Sequence, residues 1–147
     1  MTPKELEYAL DGFTGTEQYH RLPYPTGNLL MTDGVNYLVE EAKCFWLMDI
    51  IASYQRKLKK EDFQTWTLTH NKPAETAPDM WTVGAVLQSK VGQKPKAEWQ
   101  VTCGDGDYNL LVSQDIEYSD FPLDSIKLFA VRSGYPEGLV VMLTGEY

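Results

Sequence analysis

The apolar residues of this chain change their spacing once, close to residue 60. Before that point they recur every three or four positions, as in Val35, Leu38 and Val39, which is the period of one face of an α-helix. After it they alternate with polar residues, as in Trp99 and Val101, which is the period of a strand with one buried face. Helical segments followed by strands favour an α+β fold, with N-terminal helices packed on one face of a mainly antiparallel sheet of four to six strands.

Helix-start signals define the helical part more closely. Thr2, followed by a proline, predicts a helix that ends near Gly12. Thr32 caps a second helical region, which runs from Asp33 to about Lys59. Because neither Gly nor Pro marks an end inside this region, the pattern leaves two alternatives, one long helix or two helices with a break near Lys43 and Cys44.

The alternating segments predict the strands, and Gly104-Asp105-Gly106-Asp107 predicts a hairpin turn between two of them. The segments cover residues 63–69, 81–87, 98–103, 110–118, 126–131 and 139–143. No repeat or linker divides the chain, and 147 residues are enough to bury a substantial core. We therefore expect residues 1–147 to form a single domain.

Composition excludes several classes of protein. The longest apolar runs, such as residues 44–48, are far shorter than the roughly 20 residues that cross a bilayer. The N-terminus lacks the cationic start and the long apolar stretch of a secretion signal. We expect a soluble, cytoplasmic protein without a membrane partner, whose two cysteines are reduced and buried.

No metal or cofactor is assigned. A structural zinc site needs about four Cys or His ligands; this chain has only two of each, and their spacings match no zinc signature. Asp105, Asp107 and Asn109 have the spacing that begins a calcium loop, but Leu110 stands where the loop needs Gly and Ile116 where it needs Glu. A hairpin turn explains these residues better.

Negative charge is concentrated in the last third of the chain. The formal net charge is −8, and residues 97–147 contain nine acidic and two basic residues. Seven carboxylates follow one another without an intervening Lys or Arg: Glu98, Asp105, Asp107, Asp115, Glu117, Asp120 and Asp124. Such a surface repels nucleic acid and attracts a basic protein surface, including a nucleic-acid-binding groove. The same excess of acid also serves plain solubility.

The segment Gly12 to Arg21 is polar and has no packing period. Its side chains that could take part in catalysis or ligand binding include Glu17, Tyr19, His20 and Arg21. They predict a small catalytic or ligand-binding site, in which Glu17 and His20 are the catalytic candidates. The alternative is an ordered connection whose polar groups cap other elements.

Four segments carry a resemblance to a known family. They are residues 12–17, 32–38, 44–53 and 116–123. The chain resembles a family of small bacterial proteins classed only as a domain of unknown function and often found with phage and plasmid genes. The resemblance covers most of the chain except residues 72–96. It implies cargo of a mobile element and transfers no catalytic residue.

Together, the charge and the resemblance predict a non-catalytic acidic binding protein of a phage or mobile element. It would inhibit a host defence nucleoprotein complex, in the manner of an anti-CRISPR protein or a nucleic-acid mimic. Its partner would be a basic protein surface and not nucleic acid itself. The alternative is a small enzyme or ligand-binding domain around Glu17, Tyr19, His20 and Arg21, so enzymatic activity stays open. Self-association through the helices or a sheet edge is also left open.

Overall fold

The computed structural model describes residues 2–22, 29–71, 98–107, 109–133 and 138–147. These residues form three α-helices and seven strands, and a 3-10 turn at Thr144–Glu146 follows the last strand. The helices are α1 (Pro3–Asp11), α2 (Asp33–Glu41) and α3 (Phe45–Ser53). The strands are β1 (His20–Arg21), β2 (Leu29–Met31), β3 (Phe63–His70), β4 (Trp99–Gly104), β5 (Leu110–Ile116), β6 (Ser125–Ser133) and β7 (Gly138–Leu143). The strand predicted at 81–87 lies outside the described residues.

The seven strands form one sheet in the order β1-β2-β7-β6-β3-β4-β5. Every neighbouring pair is antiparallel except β2 and β7, which are parallel. The fold is therefore α+β with a mostly antiparallel sheet, as predicted, but four to six strands was too low a number. The sequence pattern missed β2 because three residues are too few to show a period. The strand predicted at 139–143 corresponds to β7, which is the partner of β2 in the sheet.

The helical region after Thr32 consists of two helices. Helix α2 ends at Glu41 and α3 begins at Phe45, so the break falls near Lys43. Lys43 has a φ of 53°, a left-handed conformation that interrupts a helix without Gly or Pro. Residues 54–60 form turns and do not continue α3.

One hydrophobic cluster joins the helices to the sheet. Leu38 of α2 and Met48 of α3 are fully buried in the same cluster as Trp66 of β3. The strands contribute alternate residues to this cluster, as their period predicts. The opposite face of the sheet is not uniformly exposed, because Leu30 and Val140 point to that side and are also buried.

Candidate functional site

The seven acidic residues of the sequence pattern divide into two groups at opposite ends of β4. Asp105 and Asp107 lie in the turn between β4 and β5. The other five lie near the start of β4, the end of β5 and the connection to β6: Glu98, Asp115, Glu117, Asp120 and Asp124. The six residues of β4 separate the two groups by about 20 Å. We call the group of five the acidic end.

Strand pairing places two members of the acidic end side by side. Trp99, the first residue of β4, is opposite Ile116, the last residue of β5. Glu98 precedes Trp99 and Glu117 follows Ile116, so the two carboxylates emerge from neighbouring strands. Neighbouring strands are about 4.8 Å apart. Like charges at this distance repel each other unless a cation or solvent screens them.

The end of β3 lies between Glu98 and a third member of the acidic end, Asp124. The backbone N–H of His70 donates to the carbonyl of Asp124 at 2.9 Å, and that of Asn71 donates to the carbonyl of Glu98 at 2.7 Å. Across β6, β3, β4 and β5, the order at this end of the sheet is therefore Asp124, the end of β3, Glu98 and Glu117. Three strand spacings give this row a width of about 14 Å.

Most of the acidic end is exposed, and part of it lacks a counter-ion. Glu98 Oε1 lies 3.2 Å from His70 Nε2, and the His70 ring lies 4.5 Å from the ring of Trp99. In the described part of the chain, Asp115, Glu117 and Asp120 form no ion pair within 4.0 Å. All three are exposed, so the surface there is negative.

The other group has a structural role. Asp105 Oδ1 accepts hydrogen bonds from the backbone N–H groups of Asp107 at 2.7 Å and Asn109 at 3.3 Å, and Oδ2 accepts from Asn109 Nδ2 at 2.8 Å. The side-chain bond from Asn109, followed by the backbone bond from Asp107, lowers the pKa of Asp105. Asp105 thus stabilises the hairpin turn, in agreement with the turn signal of this segment.

A groove of about 530 Å³ runs beside the acidic end, between α3 and β5. Trp46 and Ile50, one helical turn apart on α3, form one wall, and Ile116 lies on the strand side. Tyr118, which is 77% exposed, and Asp120 complete the groove after β5. The helical period of α3 identifies Trp46 and Ile50 as one face, but nothing in the sequence places that face beside β5.

The polar segment before β1 is held by the first residue of α2. Asp33 Oδ1 lies 2.8 Å from His20 Nε2, and Oδ2 accepts the backbone N–H of Glu17 at 2.9 Å. In return, the Asp33 N–H donates to Thr16 Oγ1 at 2.8 Å. The His20 contact and then the Glu17 bond lower the pKa of Asp33.

These contacts bring together only part of the predicted polar site. His20 is paired with Asp33, a residue that the sequence marked only as the start of a helix. Glu17 joins through its backbone N–H, and its side chain is exposed, as are those of Tyr19 and Arg21. The segment is therefore ordered and tied to the start of α2, and the catalytic or ligand-binding role of Glu17 and His20 stays a prediction.

Glu146 stabilises the start of α2 from the other end of the chain. Its Oε1 accepts from the Thr32 hydroxyl at 2.6 Å and from the Leu143 N–H at 3.0 Å, and its Oε2 accepts from the Gly34 N–H at 3.2 Å. The Gly34 N–H, which donates to Glu146, and the Val35 N–H, which donates to the Thr32 hydroxyl, are donors that a helix start leaves without an intrahelical partner. The negative carboxylate also suits the positive end of the helix dipole.

The two cysteines are buried and inert. Cys44 lies between α2 and α3, and Cys103 lies in β4 with its side chain towards the core. Burial raises the pKa of each thiol to about 12, so almost no thiolate is present at neutral pH. Neither side chain has the properties of a catalytic nucleophile.

Across the described ranges, no three His, Cys, Asp or Glu side chains converge in a way that could hold a metal ion. None of the helices in those ranges is both long and apolar enough to cross a membrane. The fold and the surface define a small α+β protein with an acidic sheet end beside an aromatic-lined groove.

The chain belongs to DUF6876, a family of unknown function, which it matches over residues 4–147. No curated protein and no solved structure is similar enough to match it.

Proposed function

We propose that this protein is a binding protein whose acidic end docks on a basic surface of a partner protein. The observation that supports this proposal is the group of Asp115, Glu117 and Asp120, which are exposed at one end of the sheet and have no cation within 4.0 Å in the described structure. Charge complementarity would give fast association that weakens as salt is added. The groove beside these carboxylates would add apolar contact area to the interface.

The concentration of carboxylates at one end of the sheet favours a partner that normally binds nucleic acid. A single DNA strand carries one charge per 3.4 Å, or about four charges over 14 Å. The acidic end has three carboxylates over a similar width, Asp124, Glu98 and Glu117, and Asp115 and Asp120 add two more nearby. On this basis we propose that the protein acts as a nucleic-acid mimic, an inhibitor of a host defence nucleoprotein complex that a phage or mobile element carries in the host cytoplasm.

A pull-down with charge-reversed variants tests the proposal. The tagged protein is exposed to host lysate, washed at low and at high salt, and its bound proteins are identified by mass spectrometry. The test variant combines Asp115→Lys, Glu117→Lys and Asp120→Lys. We expect the wild type to retain one stoichiometric basic or nucleic-acid-handling partner at low salt and to lose it at high salt, and we expect the variant to retain none.

The matched control combines Glu7→Lys, Asp11→Lys and Glu40→Lys, three exposed residues of α1 and α2. Each triple substitution changes the formal net charge from −8 to −2, because three acids each change by two units. The control should therefore retain the partner if the location of the charge matters. Equal retention by both triple variants would show that the acidic end is not the docking surface.

A catalytic or ligand-binding role for His20 is the second candidate. Its supporting observation is the 2.8 Å contact between His20 Nε2 and Asp33 Oδ1, because a carboxylate that orients an imidazole is a recurrent arrangement around a general base. Metabolite screening with the wild type, Glu17→Gln and His20→Ala would test it. Loss of a ligand or activity with an unchanged melting temperature would support the role, whereas loss of folding in both variants would assign the residues to the connection.

A further inference from the structure

We propose that the groove between α3 and β5 receives an arginine side chain of the basic partner. This inference rests on the proposed function, since it names the group that the docking surface recognises. The groove is lined by Trp46 and Ile50 on the helix side and by Ile116, Tyr118 and Asp120 on the strand side. It therefore combines aromatic walls with a carboxylate.

The charges around the groove select a cation. Its charged lining residues are Asp115 and Asp120, and no lysine or arginine is among its lining residues. Asp115 lies between Gln114 and Ile116 on β5, so its side chain points to the opposite face of the strand, and Asp120 is the carboxylate that can meet an occupant of the groove. Neither carboxylate has an ion-pair partner within 4.0 Å among the residues that the structure describes. Asp120 also borders a smaller cavity that contains Lys43, but the two do not approach within salt-bridge distance. A positively charged occupant would supply the missing counter-charge.

The walls favour arginine over lysine. The side chain of Tyr118 is largely exposed and that of Trp46 is half-buried, so both have surface on which a flat group can stack. A guanidinium is planar, stacks on aromatic faces and can donate two parallel hydrogen bonds to a carboxylate such as that of Asp120. An ammonium is more strongly hydrated and loses more when it enters a groove with apolar walls.

Two peptides of equal length and charge separate these possibilities. An Arg-Gly repeat and a Lys-Gly repeat are titrated into the isotope-labelled full chain at low salt, and binding is followed by two-dimensional NMR. The indole N–H signal of Trp46 is assigned by comparison with Trp46→Phe. We expect the Arg-Gly peptide to shift this signal and to bind about two- to fivefold more tightly than the Lys-Gly peptide, the range that one exposed cation–π contact provides.

Variants then assign the contacts. Tyr118→Ala removes an exposed ring and should reduce the Arg-Gly affinity to that of the Lys-Gly peptide, with little effect on the latter. Asp120→Asn should weaken both peptides, whereas Asp107→Asn, the same change at the far end of β4, should weaken neither appreciably. Unchanged melting temperatures would show that the effects are not losses of folding.

The outcomes distinguish the inference from the proposed function. Equal binding of the two peptides, or shifts confined to the signals of Glu98 and Asp124, would overturn the arginine groove and leave the acidic docking surface intact. No binding of either peptide at millimolar concentration would overturn the groove as well. Only this last result, combined with a partner that the triple charge reversal still retains, would overturn both proposals.

Discussion

Replacement of Gly34 by alanine is the sharpest test of how α2 is anchored. Gly34 is the second residue of α2, a position where helix propensity alone predicts that alanine stabilises by up to about 1 kcal/mol. The structure predicts the opposite. A Cβ at this position would lie 2.5 Å from Glu146 Oε1 and 2.6 Å from Leu143 Cδ1, which is too close for both neighbours.

The magnitude follows from what has to move. Glu146 would leave its bonds to the Thr32 hydroxyl and two backbone N–H groups, a loss of about 1–2 kcal/mol for partly exposed, charge-assisted bonds. Displacement of the buried Leu143 side chain adds about 1–3 kcal/mol of overpacking. After subtraction of about 1 kcal/mol of propensity gain, we expect Gly34→Ala to destabilise by about 1–4 kcal/mol, which corresponds to a fall in Tm of roughly 2–16 °C.

Urea unfolding of Gly34→Ala, Glu146→Ala and the double variant measures this coupling. Because Glu146→Ala already removes the carboxylate that the new Cβ meets, Gly34→Ala should cost about 1 kcal/mol less in the double variant than alone. Gly15→Ala is the control, since an added Cβ there has no atom within 4 Å, and its effect should stay within about 0.5 kcal/mol. A neutral or stabilising Gly34→Ala, or strictly additive effects, would refute the proposed anchoring by Glu146.

Three further predictions concern titration, thiol reactivity and the buried amide. Because the folded state lowers the pKa of Asp33, its carboxylate contributes stability above its ordinary value of 3.8, and this contribution is lost as the pH falls through the folded pKa. Asp33→Asn should therefore unfold at lower urea than the wild type at pH 7, and the difference should shrink below pH 3.8; a constant difference would contradict the contact with His20. Cys44 and Cys103 should resist iodoacetamide at pH 8 in the folded protein and react in urea, as mass spectrometry would show, and rapid labelling without urea would contradict their burial. Gln64 is fully buried and accepts from Trp66 Nε1 at 2.9 Å, so Gln64→Ala should destabilise by about 2–4 kcal/mol in urea unfolding, and a change below 1 kcal/mol would show that this bond contributes little.

The local parts of the fold were predictable from the sequence. Thr2 accepts the backbone N–H of Glu5 at 3.2 Å, and Thr32 accepts that of Val35 at 3.4 Å, as their positions before helical segments indicated. In β4 the apolar residues Trp99, Val101 and Cys103 alternate with polar ones, and this pattern placed the correct side of the strand in the core. The helix signals involve residues three or four positions apart and the strand signals involve residues two positions apart, so both can be read in a short window of the chain.

The candidate surfaces were predictable only as a list of residues. Seven carboxylates without an intervening Lys or Arg suggested one acidic patch. The hairpin instead places Asp105 and Asp107 at one end of β4 and the other five carboxylates near the opposite end. The sequence indicates the polar segment, but it marks the partner of that segment, Asp33, only as a helix start. The helical period places Trp46 on one stripe of a helix, but no local pattern predicts that this stripe lies beside the end of β5 and forms the wall of a groove.

The sequence by itself determined the starts of α1 and α2, the strand faces, the α+β class and the excess of acid in the last third, because each depends on residue type and short-range spacing. The tertiary structure decided the parallel pairing of β2 with β7, the anchoring of α2 by Glu146 and the contact between His20 and Asp33. It also decided which carboxylates share one end of the sheet and what lies beside them. These features depend on contacts between residues far apart in the chain, and the choice among such contacts is made by the packing of the whole core, not by any local pattern.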